Sequence, residues 1–205
     1  MFTGLIECTG LVVSIETTST PNQISAKLSI SEHLCSEAKQ GDSIAINGCC
    51  LTVSDLTDNR ILSFDISQET LNCTGLGSLS KGDKVNMERS MQLSSRLDGH
   101  IVSGHIDGKA TVCLLEKCHD YWRIGVSIPS SQAANIIDKG SICIDGVSLT
   151  INKIIDNKNS TTIELMLIPT TIAKTNLAQL EIDKVVNVEY DLVGKYIRRQ
   201  AQLSL

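Results

Sequence analysis

Two histidines and two short runs of thiol and hydroxyl residues are the groups in this chain best suited to chemistry. Gly99-His100-Ile101-Val102-Ser103-Gly104-His105-Ile106-Asp107-Gly108 sets two imidazoles five positions apart among glycines, which let a backbone approach a ligand closely. Histidine changes charge near neutrality, so it can move protons at ordinary pH. His100 on its own reads best as a satisfied polar residue at a domain boundary. His105 is the stronger candidate for proton transfer, because the matching position one hundred residues earlier is Leu5. One copy has exchanged an aliphatic side chain for a titratable one.

The second pair of runs is Asn47-Gly48-Cys49-Cys50-Leu51-Thr52 and Asp145-Gly146-Val147-Ser148-Leu149-Thr150. Asn-Gly or Asp-Gly ahead of a strand marks a tight hairpin or a bulge. Alternation along the strand then puts Cys50 with Thr52, and Ser148 with Thr150, on one face. For a lone threonine the ordinary reading is a strand residue. Here the pattern occurs twice, keeps the threonine, and exchanges only cysteine for serine, so a small polar pocket in each copy is the better reading. The runs at residues 65–70 (Asp65, Ile66, Ser67, Gln68, Glu69, Thr70) and 166–171 end hairpins and open loops, where residues commonly face ligands.

Other chemistries lack support. There is no nucleophile elbow, phosphate loop or dinucleotide fingerprint. Cys113, Cys118 and His119 do not form a metal cluster if 110–118 is a strand, since positions five apart point to opposite faces. The eight cysteines include no C-x-x-C pair and read as reduced thiols, mostly small core hydrophobes. A net charge of −5 with few aromatics argues against nucleic acid. No apolar run approaches the ~20 residues that span a bilayer, and no signal peptide opens the chain, so a cytoplasmic protein is expected.

These residues are positioned by a duplication. Phe2-Thr3-Gly4-Leu5-Ile6-Glu7 returns as Val102-Ser103-Gly104-His105-Ile106-Asp107, and Val85-Asn86-Met87-Glu88 as Val186-Asn187-Val188-Glu189. The offset stays between 98 and 101 residues, too long for a solenoid unit and right for a domain. Short strands dominate each copy: 11–15, 26–30, 43–46, 51–56 and 61–66 in the first, with turns at Asp58-Asn59 and at residues 156–159. A small β-barrel or sandwich in each half is expected. Each half also has a short helical candidate, 31–39 and 130–139, the second with Ile136 and Ile137 on its inner side and Gly140 as its stop. Residues 191–203 have no counterpart. They read as an amphipathic helix capped by Asp191, with Leu192, Val193, Tyr196 and Ile197 on an apolar stripe that favours oligomerisation over packing on its own barrel.

Met1-Phe2-Thr3-Gly4, Asn47-Gly48-Cys49-Cys50-Leu51-Thr52-Val53, Gly99-His100 with Ser103-Gly104-His105, and Asp145-Gly146-Val147-Ser148-Leu149-Thr150, in this order along the chain, closely resemble the riboflavin synthase family of the alpha-chain type, over essentially the whole chain. The resemblance implies an all-β fold with a C-terminal helix: two tandem six-stranded Greek-key barrels, called lumazine-binding repeats, at 1–99 and 100–190, and a trimerising helix at 191–205. It implies a transferase that dismutates two molecules of 6,7-dimethyl-8-ribityllumazine by moving a four-carbon unit, with no metal or redox cofactor. Active sites are implied between the N-terminal barrel of one subunit and the C-terminal barrel of its neighbour. The N-barrel pocket would use Gly4, Leu5, Ile6, Cys50, Leu51, Thr52 and residues 65–70. The C-barrel pocket would use Gly104, His105, Ile106, Lys139, Ser148, Leu149, Thr150, Ile168, Pro169, Thr170, Thr171, Ile172 and Ala173. His105 is then the expected proton shuttle, with Ser148 and Cys50 polarising a ring or orienting water. A homotrimer is implied, with lumazine synthase as a candidate partner. The rival reading is a non-catalytic lumazine- or flavin-binding protein of the same fold, which the paired Cys50/Thr52 and Ser148/Thr150 make less apt.

Overall fold

The computed structural model describes residues 1–20, 23–31, 38–57 and 60–203. Strands β1 (Cys8–Thr20), β2 (Gln23–Ser31), β3 (Ser43–Ile46), β4 (Cys49–Leu56), β5 (Ile61–Ile66) and β6 (Lys84–Arg89) close into a barrel in the order β1-β2-β5-β4-β3-β6. Strands β7 (Gly108–Cys118), β8 (Tyr121–Pro129), β9 (Ser141–Ile144), β10 (Val147–Asp156), β11 (Ser160–Leu167) and β12 (Val185–Tyr190) close a second barrel in the same order. Closure leaves no open sheet edge. In both barrels the first strand breaks register near its middle, at Val12/Ser14 and Val112/Leu114, and the fourth at Val53/Asp55 and Ile151/Lys153. Such bulges bend a strand enough to turn a barrel corner.

Each barrel has its own core. Leu28, Ile30, Ile44, Ile46, Leu62 and Phe64 are buried in the first, and Ile124, Val126, Ile142, Ile144, Ile163 and Leu165 in the second. Removing such a side chain from water stabilises a fold by about 1.5–3 kcal/mol. The β3–β4 and β9–β10 hairpins turn on two residues with positive φ, Asn47 (45°) with Gly48 (81°) and Asp145 (45°) with Gly146 (84°). That conformation matches the right-handed twist of the flanking strands. The turn expected at Asp156-Asn157-Lys158-Asn159 joins β10 to β11; Asp58-Asn59 lies outside the described residues.

The barrels meet across a local two-fold axis. Phe2 and Val102 form an antiparallel bridge, with N···O distances of 2.8 and 3.1 Å, and pack with Ala45 and Cys143 in a third buried cluster. The two hairpin turns touch: a Cβ placed on Gly48 would lie 2.8 Å from Gly146 N. Around them runs a reciprocal polar network. Asn86 donates its amide to Asn47 Oδ1 and its Nδ2 to the Asp145 carbonyl, both at 2.8 Å. Asn187 donates its amide to Asp145 Oδ1 at 2.8 Å and its Nδ2 to the Asn47 carbonyl at 2.9 Å.

One expected helix changes, and the other lies mostly outside the described residues. Residues 130–139 do not form one long helix: Ser130–Asn135 make a 3-10 turn, Ile136 is extended, and Lys139 has φ 64°. Ile136 is buried, whereas Ile137 is 72% exposed instead of facing inward. The first candidate, 31–39, lies mostly outside the described residues, and Ser31 ends β2. Short helices α1 (Gln68–Cys73) and α2 (Pro169–Lys174) follow β5 and β11, and the tail does form α3 (Leu192–Leu203), which Asp191 caps by accepting from Val193 N at 2.9 Å. Its polar face seats on its own barrel: Lys195 pairs with Asp107 at 2.9 Å, Arg198 donates to Gln132 Oε1 at 2.7 Å, and Gly194 lies close against the Asn135 carbonyl. Val193, Tyr196, Ile197 and Leu203 remain exposed.

The network contains one charge where its twin has none. Burial pushes the Asp145 carboxyl up to about 6, against the donors Asn187 and Asn176 and the charge of Lys184. Between about pH 4 and about pH 6 the folded protein keeps a proton that the unfolded chain has released, so this residue's contribution falls as pH rises through that window. Asn47 shows that an amide fits the same turn. Asp145→Asn is therefore expected to remove this loss, on the order of 3 kcal/mol at ~1.4 kcal/mol per pH unit. Urea unfolding at pH 4 and pH 7.5 checks it: the mutant should gain on the parent as pH rises, and an unchanging gap would contradict the assignment.

Candidate active site

Four of the segments singled out by sequence, 4–6, 50–52, 104–106 and 148–150, meet at this two-fold interface, and they pair across it. The backbone N–H of Ser148 donates to the Gly4 carbonyl, and that of Cys50 to the Gly104 carbonyl, both at 2.8 Å. Ile6 packs against the second barrel's core and Ile106 against the first. The segment Gly4-Leu5-Ile6 thus lies with Ser148-Leu149-Thr150, and Gly104-His105-Ile106 with Cys50-Leu51-Thr52. The expected grouping of each segment with its own barrel is corrected by this exchange. Its cause is the Phe2–Val102 bridge, which carries each N-terminal arm across to the opposite barrel before its first strand begins.

Glycine is required at the crossing. Gly4 and Gly104 have φ of 77° and 83°, and a Cβ on either would lie 2.6 Å from Ser148 Cβ or 2.5 Å from Cys50 Cβ. Two carboxylates hold the crossing loops. Glu88 Oε1 accepts from Thr3 N (2.6 Å) and Thr3 Oγ1 (2.7 Å), and its Oε2 accepts from Gly4 N (3.0 Å). Glu189 treats Ser103 and Gly104 in the same way, at 2.7, 2.7 and 2.9 Å. Burial raises the Glu88 carboxyl above its ordinary range, while the Thr3 and Gly4 donors oppose that shift.

Of the two histidines, it is His100, expected to be a satisfied residue at the domain boundary, that lies against Ser148. His100 is buried, and its Nδ1 lies 2.7 Å from Ser148 Oγ. Burial lowers its pKa, with Asp191 and Glu189 acting in the opposite direction. In the tautomer with Nδ1 unprotonated the ring accepts a hydrogen bond from the Ser148 hydroxyl, and in the other Nδ1–H donates to Ser148 Oγ. His105 is exposed, and its backbone N–H donates to Ser103 Oγ at 3.2 Å. Ser148 is thus joined to His100 and not to His105. Position in the repeat could not single out His100, because it precedes the duplicated motif and has no twin.

Cys50 and Ser148 are half-buried with Thr52 and Thr150 exposed beside them, as the alternation requires, while Leu51 and Leu149 serve the cores. Residues 65–70 and 166–171 end strands as expected, but they lead into short helices and not open loops. Ser67 caps α1 (Gln68–Cys73) by accepting from Thr70 N at 3.2 Å, and Gln68 bonds Asn72. Asp65 and Glu69 are exposed, and Ile66 is core. Pro169 opens α2 (Pro169–Lys174), which carries Thr170, Thr171, Ile172 and Ala173; Ile168 is 50% exposed and Ile172 packs on the core. Lys139 is exposed, and its backbone N–H donates to Ile151. A cavity of about 550 Å³ opens beside Leu5, lined by Thr3, Glu7, Ser43, Glu88 and Arg89 among others, but not by Cys50 or Ser148. Cys113 and Cys118 are exposed, and among the described residues no three His, Cys, Asp or Glu side chains cluster closely enough to hold a metal ion. No helix among them is long and apolar enough to cross a membrane.

Comparison with known proteins agrees with this architecture. The lumazine binding domain family matches residues 3–90 and again 103–191. The riboflavin synthase of Bacillus subtilis is 39% identical over 199 residues, covering 97% of this chain and 89% of that one. That of Mycobacterium tuberculosis is 40% identical over 201 residues, covering 97% of each. Solved structures of LumP, complexed with flavin mononucleotide or with 6,7-dimethyl-8-(1'-D-ribityl) lumazine, align at TM-score 0.79 and 28% identity over 93% and 92% of this chain and 99% and 98% of theirs. Two matched domains and relatives of this identity across nearly the full length place the chain, as an enzyme, in the riboflavin synthase family.

Proposed function

We propose that the protein converts two molecules of 6,7-dimethyl-8-ribityllumazine into riboflavin and 5-amino-6-ribitylaminopyrimidinedione by transfer of a four-carbon unit. The observation that carries this reading is the pair of repeat-related half-sites that are alike in backbone and unlike in chemistry. One holds Ser148 hydrogen-bonded to His100, and the other holds Cys50. A reaction in which one molecule donates and an identical molecule accepts asks for that arrangement. The relatives named riboflavin synthase support it, as does the lumazine bound by LumP.

Little acid–base chemistry is required. The lumazine 7-methyl is acidic because its carbanion is delocalised over the ring, and holding two flat rings in order can supply ~7–11 kcal/mol. The neutral His100 ring with the Ser148 hydroxyl is the proton-transfer unit of this reading; Cys50 and the threonines Thr52 and Thr150 orient the rings. Leu5, Ile168 and the threonines are exposed in the single chain. That exposure supports closure of each half-site by a neighbouring subunit, and the exposed stripe of α3 is the surface proposed to hold a homotrimer together.

Purified protein given the lumazine alone is expected to develop riboflavin fluorescence without added metal or nucleotide. Ligand binding with no turnover would favour the binding-protein alternative. His100→Ala and Ser148→Ala should each lower kcat by roughly 10²-fold or more with a smaller change in KM, the range for lost acid–base catalysis. Because burial lowers the His100 pKa, the acidic limb of the kcat profile should fall below the ordinary histidine range. An unchanged kcat in His100→Ala would remove this pair from the mechanism. Deleting residues 192–205 should yield smaller assemblies whose specific activity drops and partly recovers as protein concentration rises, since assembly follows mass action. Sedimentation and initial rates on the same sample check it, and a fully active monomer would end the shared-site reading.

A further inference from the structure

The catalytic pair is tied to the opposite barrel through a single dipeptide. The His100 backbone N–H donates to the Thr3 carbonyl at 3.1 Å, and the Ser148 backbone N–H to the Gly4 carbonyl at 2.8 Å. Thr3 and Gly4 are themselves held by Glu88, through two backbone amides and one hydroxyl at 2.6–3.0 Å. The approach to Thr3 is close, since a Cβ on Gly99 would collide with its carbonyl oxygen. Glu88 stands on β6 of the first barrel, 4% exposed, whereas Ser148 stands on β10 of the second.

The geometry points to Glu88 as a positioning residue that acts through Thr3 and Gly4 to fix the alignment of Ser148 with His100 from the other barrel. A carboxylate suits the task, because its two oxygens accept from two adjacent amides and a hydroxyl at once. An amide at the same place would turn a donor toward one of these donors. Thr3 contributes its hydroxyl and not its methyl, since Ser103 makes the same bonds to Glu189 in the second copy. Loosening the dipeptide would misplace Ser148 and His100 together, and small misplacements of reacting groups can cost about 10²-fold in rate.

This inference rests on the function proposed above for its rate measurements, but not for its spectroscopic one. Glu88→Gln and Thr3→Val are expected to lower kcat by about 10- to 100-fold with little change in KM, whereas Thr3→Ser should remain near the parent. In the Glu88→Gln background, adding Ser148→Ala should cost far less than it does in the parent, because the pair is already misaligned. Without substrate, NMR titration of the His100 ring should show its pKa moving up toward the ordinary histidine value in Glu88→Gln and Thr3→Val, as the ring gains water. Asp191 and Glu189 are the charges that act most on that ring, and only an upward shift on altering Glu88 must travel through the loop. Removal of a negative charge by itself would move the value down. Where Glu88→Gln fails to fold, Thr3→Val, which changes no charge, carries the test. A chain that forms no riboflavin but shows the His100 shift would overturn the reaction and keep the clamp. An unshifted titration, or rate losses that simply multiply, would overturn the clamp.

Discussion

The structure depends on two backbone hydrogen bonds that cross from barrel to barrel, Ser148 to Gly4 and Cys50 to Gly104. Each bond seats a first arm of one repeat against the fourth strand of the other. The contact is possible only because no side chain stands on either glycine, and because both adopt a left-handed backbone that other residues rarely take. Buried amides on both sides then have partners, which a loop pressed against a barrel wall would otherwise lack. The hairpin turns, the asparagine network and the two glutamates all converge on keeping these loops where they are.

Symmetry supplies the scaffold, and departures from it set the two half-sites apart. Asn86 and Asn187 do the same work on their two sides, as do Glu88 and Glu189. Against that background the unmatched residues stand out: Ser148 against Cys50, His105 against Leu5, Asp145 against Asn47, and His100 against nothing. A duplicated site frees one copy to change while the other holds the architecture. One half-site holds Ser148 against the His100 ring, and the other offers the Cys50 thiol in the same backbone setting.

Much of this was legible in the chain. The repeat, the short alternating strands and the paired Asn-Gly and Asp-Gly turns led to two like barrels, and Asp191 correctly marked the start of α3. Residues 130–139 misled because alanines and paired isoleucines look helical, while the backbone turns extended at Ile136, which buries that side chain and ends the 3-10 turn at Asn135. The exchange of arms was not legible, because pairing between segments a hundred residues apart leaves no local periodicity. Glu88 was hidden for a related reason. Asn86 and Glu88 alternate with Val85 and Met87, which reads as a solvent-facing edge of a strand. Both faces of β6 are in fact covered, one by its own core and the other by the second barrel. A polar face repeated residue for residue in both copies was the signal available.

The reciprocity of the crossing has a bearing on ancestry. Residue 4 meets 148 while 104 meets 50, and Phe2 meets Val102 in both directions. That is the form of an isologous contact, in which one surface binds its own copy about a two-fold axis. The interface inside this chain thus has the geometry of a homodimer interface joined end to end. A single repeat of such a protein would carry a self-complementary face, and tethering two copies would turn a concentration-dependent encounter into a permanent one. Once the copies shared one chain, each was free to diverge without losing its partner.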